Sequence, residues 1–165
     1  MEIRIASLVN DSIVDGPGLR CVIYTQGCPH QCEGCHNPQT HDFNGGHEAD
    51  TAEIWKVIEE NPLLSGVTFS GGDPLCQPAP LTEIAQKAHE NGLTVWSYTG
   101  WTWEELMEEK DPAVMKLLHH VDVLVDGRFQ METKTMDAPY RGSKNQRLID
   151  VPRSFEAQQV IEINL

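Results

Sequence analysis

Three cysteines fall within eight residues of this chain, Cys28, Cys32 and Cys35 in "CPHQCEGCHNPQT", with the spacing C-x3-C-x2-C. Thiolates at such intervals in a loop hold metal. Two kinds of centre compete. A structural zinc wants four protein ligands, and His30, His36 or His41 could supply the fourth. An iron–sulfur cluster is held by thiolates, usually four, so three in the loop would leave one iron with an exchangeable position. The chain has five cysteines. Cys21 and Cys76 stand apart from the loop and read as small core or near-site residues without a ligand role. A second stretch, "TFSGGDPL" (68–75), sets two glycines after a strand-like run, where backbone can approach a ligand closely. A plain Gly-Gly turn with Asp-Pro opening a helix fits the same residues.

Strand ends and turns must hold these motifs. "RCVIYTQ" (20–26) is β-rich and runs into the cysteine loop, after which comes a polar, Gly-containing stretch, "HDFNGGHEAD" (41–50). "TAEIWKVIEEN" (51–61) places Ile54, Val57 and Ile58 on one helical face. "GVTFSGG" (66–72) is a short strand stopped by two glycines. "APLTEIAQKAHENG" (79–92) puts Leu81, Ile84, Ala85 and Ala88 at helical spacing, with Gly92 as the stop. "LTVWSYTG" (93–100) is the next strand, and "TWEEL" (102–106) carries the Thr-x-x-Glu of a capping box. "DPAVMKLLHHV" (111–121) opens with Asp111 as cap and Pro112 at the first helical position. "VDVLVDG" (121–127) and "RLIDVP" (147–152) complete the strands.

This alternation predicts right-handed β-α-β units and a mainly parallel sheet, whose chemistry sits at the carboxyl ends of the strands. The cysteine loop, "SGGDPL", "YTGW" and "DGRF" each follow a strand, so they converge on one rim. An eight-fold barrel takes about 250 residues, more than this chain has. The expectation is one α/β domain over 1–165, an incomplete (β/α) barrel of about five or six mainly parallel strands. Its open side would suit a bulky substrate, such as a loop of another protein.

Net charge is −13, from 12 basic and 25 acidic residues, which argues against nucleic acid as a partner. No apolar run approaches a membrane span of about 20 residues. The N-terminal "MEIRIASLVND" lacks the pattern of a secretory signal, so the expected location is cytoplasmic and no membrane partner is expected. Residues 128–153 depart from the acidic average, with six basic residues against three acidic. That segment is either a solvated face or a docking surface for an anionic partner.

C-x3-C-x2-C after a first strand and Gly-Gly-acidic-Pro after a second resemble the radical S-adenosylmethionine superfamily. "VDGPGLRCVIYTQGCPHQCEGCHNPQT", "TFSGGDPLCQ", "YTGWTWEEL", "VDVLVDGRF" and "RGSKNQRLID" are similar, in that order, to the activating proteins of anaerobic ribonucleoside-triphosphate reductase. These segments run from Val14 to Asp150. Where the superfamily often has an aromatic residue before the third cysteine, this chain has Gly34, and His36 follows Cys35.

The resemblance implies that Cys28, Cys32 and Cys35 bind a 4Fe-4S cluster whose open iron is chelated by S-adenosylmethionine. It implies reductive cleavage to a 5′-deoxyadenosyl radical, which takes a hydrogen atom from a glycine of the reductase. Gly34, Cys35 and His36 would line the cofactor near the cluster. Gly71 and Gly72 would offer backbone to its methionyl amino group, with Asp73 adding a hydrogen bond or charge. Tyr98, Thr99 and Asp126 could reach adenosine or be structural. Arg141, Ser143, Asn145 and Gln146 would touch either the cofactor carboxylate or the partner loop. A reduced flavodoxin or ferredoxin is the implied electron donor. Two other readings stay open: a radical enzyme acting on another glycyl-radical protein or a small molecule, and a zinc-stabilised interaction module.

Overall fold

The computed structural model describes residues 1–164. Its strands are β1 (Glu2–Ser12), β2 (Arg20–Thr25), β3 (His47–Asp50), β4 (Gly66–Gly71), β5 (Thr94–Tyr98), β6 (Val123–Asp126) and β7 (Arg147–Asp150). Its helices are α1 (Thr51–Glu59), α2 (Pro78–Glu90), α3 (Trp103–Glu109), α4 (Pro112–Leu118) and α5 (Val151–Ala157). All seven strands join one sheet in the order β3-β1-β2-β4-β5-β6-β7. The middle of the sheet, from β2 to β6, is parallel. Among the described residues no helix is long and apolar enough to cross a membrane.

Side-chain alternation sorts the sheet into two faces. Ile23, Val67, Phe69, Val95, Leu124 and Ile149 point to one face and pack with Ile54 and Ile58 of α1, Leu81 and Ile84 of α2, and Leu117 and Leu118 of α4. The other face gathers Trp96, Val123, Val125 and Leu148, with Tyr98 and Tyr140 against them. The helix starts follow their local signals. Thr102 and Glu105 form the reciprocal capping box of α3, and Asp111 accepts from Ala113 and Val114 at the start of α4.

The count of seven strands exceeds the expected five or six, and three pairings are antiparallel: β1 with β2, β1 with β3, and β6 with β7. Each difference has a physical reason. β1 buries Ile3 and Ile5 in alternation, a pattern that its polar second half conceals. β3 has the sequence HEAD, with no apolar signature, and is recruited by β1. β7 runs antiparallel because residues 127–146 contain no α-helix to carry the chain back across the sheet. The sheet is open, with β3 and β7 at its edges.

Arg20, wholly buried at the start of β2, organises the turn before it. Its Nε donates to Thr68 Oγ1 (2.8 Å), and its terminal nitrogens to Thr94 Oγ1 (2.9 Å), Pro17 O (3.1 Å), Val67 O (2.9 Å) and Thr94 O (3.0 Å). The guanidinium lies 5.8 Å from the Trp96 ring centroid. All five of its N–H groups are thereby satisfied without a carboxylate. Burial draws its pKa down to about 10. Gly16, at φ +135°, leaves room for it, since a Cβ there would come within 2.7 Å of Arg20 Cδ. Arg20→Met should therefore destabilise the fold by at least ~3 kcal/mol, because it strands several buried acceptors. Urea unfolding would report the loss, and limited proteolysis should cut first in residues 13–19.

Candidate functional site

The carboxyl ends of β2, β4, β5 and β6 meet around a cavity of about 380 Å3. Cys28, Cys32 and Cys35 line it, and Cys21 and Cys76 do not. Cys21 lies wholly buried in the helix-covered core, and burial pushes both its thiol and that of Cys76 up to about 12.

The cysteine loop closes on itself at its base, where Gly27 N donates to Thr40 O (2.7 Å) and Cys28 N to His41 O (3.2 Å). Gln26 reinforces that closure by donating to Gln39 O (3.0 Å) and Asp42 O (2.7 Å). Within the loop, Cys35 N donates to Cys32 O (3.2 Å) and Asn37 N approaches Cys35 Sγ (3.5 Å). Burial raises the thiol pKa of Cys28 and Cys32; backbone N–H groups oppose the rise at both, and Arg128 opposes it at Cys32. His41 also lines the cavity, and its buried Nε2 has no partner among the described residues.

The Gly-Gly turn sits beside this loop. Gly71 has φ +97°, and a Cβ there would collide with the Thr25 backbone. Gly72 N donates to Thr25 O (2.8 Å) and Asp73 N to Gly27 O (2.9 Å), so the two turns are stitched together. Among the expected contacts, Cys35, His36, Gly71 and Gly72 line the cavity, whereas Gly34 and Asp73 do not. A Cβ at Gly34 would run into the Met131 sulfur. The Asp73 side chain is buried, and its oxygens accept from Leu75 N (3.0 Å), Thr99 Oγ1 (3.0 Å) and Gly100 N (2.8 Å) and meet His30 Nε2 (2.7 Å). His30 was weighed from its position only as a zinc ligand; its bond to Asp73 joins residues 43 apart and leaves no local signal.

Residues 127–146, between β6 and β7, form a strap over the opposite wall. Ser143, Asn145 and Gln146 hold the strap together. Ser143 Oγ donates to Asn145 Oδ1 (2.6 Å), Asn145 Nδ2 to Arg128 O (2.8 Å) and Gln146 Nε2 to Gly127 O (2.9 Å), while Gln146 Oε1 accepts from Gly142 N (2.8 Å). Tyr98 lines the cavity and donates to Tyr140 O (2.7 Å), which ties β5 to the strap. Asp126 is not in the wall of this cavity; it caps α3 through Trp103 N (2.8 Å) and pairs with Arg147, which also meets Glu104. Arg128 forms a two-pronged pair with Glu105 (3.0 and 3.3 Å). Arg141 lines the cavity, donates to Pro139 O (3.2 Å) and has no ion-pair partner among the described residues.

The family described as "4Fe-4S single cluster domain" matches residues 14–149. The chain is 36% identical over 143 residues to the anaerobic ribonucleoside-triphosphate reductase-activating protein of Vibrio cholerae, an alignment covering 81% of this chain and 89% of that one. The protein of the same description from Escherichia coli K12 is 34% identical over 143 residues, covering 81% of this chain and 90% of that one. The pyruvate formate-lyase-activating enzyme of Clostridium pasteurianum is 36% identical over 125 residues, covering 70% of this chain and 52% of that one.

Gln146→Leu should loosen the strap while leaving the sheet intact, a local loss of about 1–3 kcal/mol from stranded backbone groups. Hydrogen exchange would show faster exchange over residues 127–146 and unchanged protection in β4 and β5.

Proposed function

Because this chain belongs to the family of anaerobic ribonucleoside-triphosphate reductase-activating proteins, we propose that it installs the glycyl radical of such a reductase as a radical S-adenosylmethionine enzyme. The observation that carries the reading is the set of three thiols, with no fourth, lining one cavity at the carboxyl rim of the parallel strands. The residues suit a 4Fe-4S cluster. Three cysteine thiols line one cavity, and thiolates are the usual ligands of such a cluster.

When bound, a reduced cluster would supply one electron to the sulfonium of S-adenosylmethionine, whose carbon–sulfur bond to the 5′ carbon would break to give methionine and a 5′-deoxyadenosyl radical as hydrogen-atom acceptor. The protein binds, orients and shields. Cys28, Cys32 and Cys35 would hold the cluster as thiolates, one to each of three irons. The backbone of Gly34, Cys35 and His36 lies beside them, and Gly71 and Gly72 offer backbone to the methionyl amino group. Asp73 supports the turn that presents those two glycines. Tyr98 and the strap wall off the adenosine side.

The open sheet acts as an incomplete (β/α) barrel whose free side admits the glycine-bearing loop. The exposed Lys134 and Lys144 on the strap dock the partner. Arg147, which the sequence had grouped with them, is committed to Asp126 and Glu104. A flavodoxin or ferredoxin delivers the electron. The similarity to a pyruvate formate-lyase-activating enzyme favours a second reading, in which another glycyl-radical protein is the partner.

Anaerobic reconstitution with iron and sulfide should yield brown protein that forms 5′-deoxyadenosine with dithionite and S-adenosylmethionine. Added reductase should then show a glycyl signal by electron paramagnetic resonance. Cys28→Ala, Cys32→Ala or Cys35→Ala should abolish both products. A colourless protein holding stoichiometric zinc would overturn the reading, and a glycyl signal on pyruvate formate-lyase alone would select the second one. Lys134→Glu with Lys144→Glu should weaken reductase binding several-fold and leave 5′-deoxyadenosine formation unchanged, as calorimetry and product assay would report.

A further inference from the structure

We propose that the buried His30–Asp73 pair is a latch that sets the position of the cysteine loop against the strand ends, and that Asp73 acts as this positioning residue without contacting bound cofactor. The inference rests on the loop being the seat of the cluster. It starts from how little else holds that loop. Across residues 29–36 the Phe129 N–H faces the Cys32 sulfur, a group that a cluster would claim. Among the described residues, N–H contacts between immediate neighbours and the cysteine sulfurs aside, the other hydrogen bond from this segment to the rest of the fold is His30 Nε2 to Asp73 Oδ2, at 2.7 Å.

The latch is built on both sides. The side chains of His30 and Asp73 are 5% and 0% exposed. Asp73 is itself immobilised by Leu75 N, Thr99 Oγ1 and Gly100 N, donors that lie beyond the ends of β4 and β5. The His30 ring meets Trp101 edge-on, with centroids 4.5 Å apart and planes at 75°. Gly100 leaves the space that the imidazole fills, since a Cβ there would strike the ring. One carboxylate thus fastens the loop to the turns after β4 and β5. With both oxygens taken by protein donors and the side chain absent from the cavity wall, it has no face left for a cofactor. Groups outside the ligand set that orient the ligands govern metal affinity and electronic character.

The test uses His30→Leu, His30→Gln, Asp73→Asn and the Leu/Asn double variant. In the metal-free proteins, hydrogen exchange over residues 29–36 should be several-fold faster in His30→Leu and Asp73→Asn than in the parent, with β4 and β5 unchanged. After reconstitution the same variants should retain less iron per chain and give a broadened resonance signal from the reduced cluster. His30→Gln, which keeps an N–H donor, should restore both, and the double variant should be no worse than either single. If His30→Leu does not fold, Gly100→Ala, which crowds the imidazole off Asp73, takes its place. Wild-type exchange and wild-type line shape in His30→Leu would overturn the latch. So would an Asp73→Asn protein that loads iron fully yet loses affinity for S-adenosylmethionine. Failure of the parent protein to take up a cluster would instead count against the proposed function, because the exchange result stands without metal.

Discussion

The parallel pairing of β2 with β4 is the constraint on which the site depends. It runs in unbroken register from Arg20 opposite Gly66 to Thr25 opposite Gly71. That register delivers the cysteine loop and the Gly-Gly turn side by side at the same level of the sheet. A slip of one residue would turn Ile23 and Phe69 out of the helix-covered core and push Arg20 into it, so the hydrophobic pattern holds the register firmly. Arg20 pins the lower end of the pairing to β4 and β5, and the bonds from Gly72 and Asp73 to Thr25 and Gly27 pin the upper end. Chemistry at the rim is therefore positioned by the packing and hydrogen bonding of the sheet beneath it.

Much of this was legible in the sequence because it is local. The strands at 20–26, 66–72, 93–100 and 121–127 announce themselves by apolar β-branched runs, and the starts of α3 and α4 by their caps. The cysteine spacing was legible too, since a loop of eight residues can bring three thiols to one cavity without help from elsewhere. What stayed hidden is what depends on distant partners. β3 is a strand because β1 offers it an edge, and nothing in HEAD says so. Asp73 reads as a cofactor contact because it follows the Gly71–Gly72 turn, yet its donors include Thr99 and Gly100, about one β-α-β unit away. Ser143, Asn145 and Gln146 read as contacts of the cofactor carboxylate or of a partner loop, because polar side chains that satisfy backbone groups have the same composition as those that meet a ligand or partner.

The charged groups divide by function in the same way. Those nearest the sheet are paired or saturated: Arg20 with carbonyls and hydroxyls, Asp73 with N–H donors, and Asp126 with Arg147. These three charges are tolerable beside the core only because each has its partners. Arg141 in the cavity and Lys134 and Lys144 on the strap form no ion pair among the described residues and lie together in one segment of an otherwise acidic chain.

The strap satisfies most of its own hydrogen bonds, through Ser143, Asn145 and Gln146, and rests on the sheet through few anchors. Its exposed outer residues can be exchanged without disturbing the strand pairings below, so the surface this edge presents and the thiol-lined floor beneath it are separable parts of one fold.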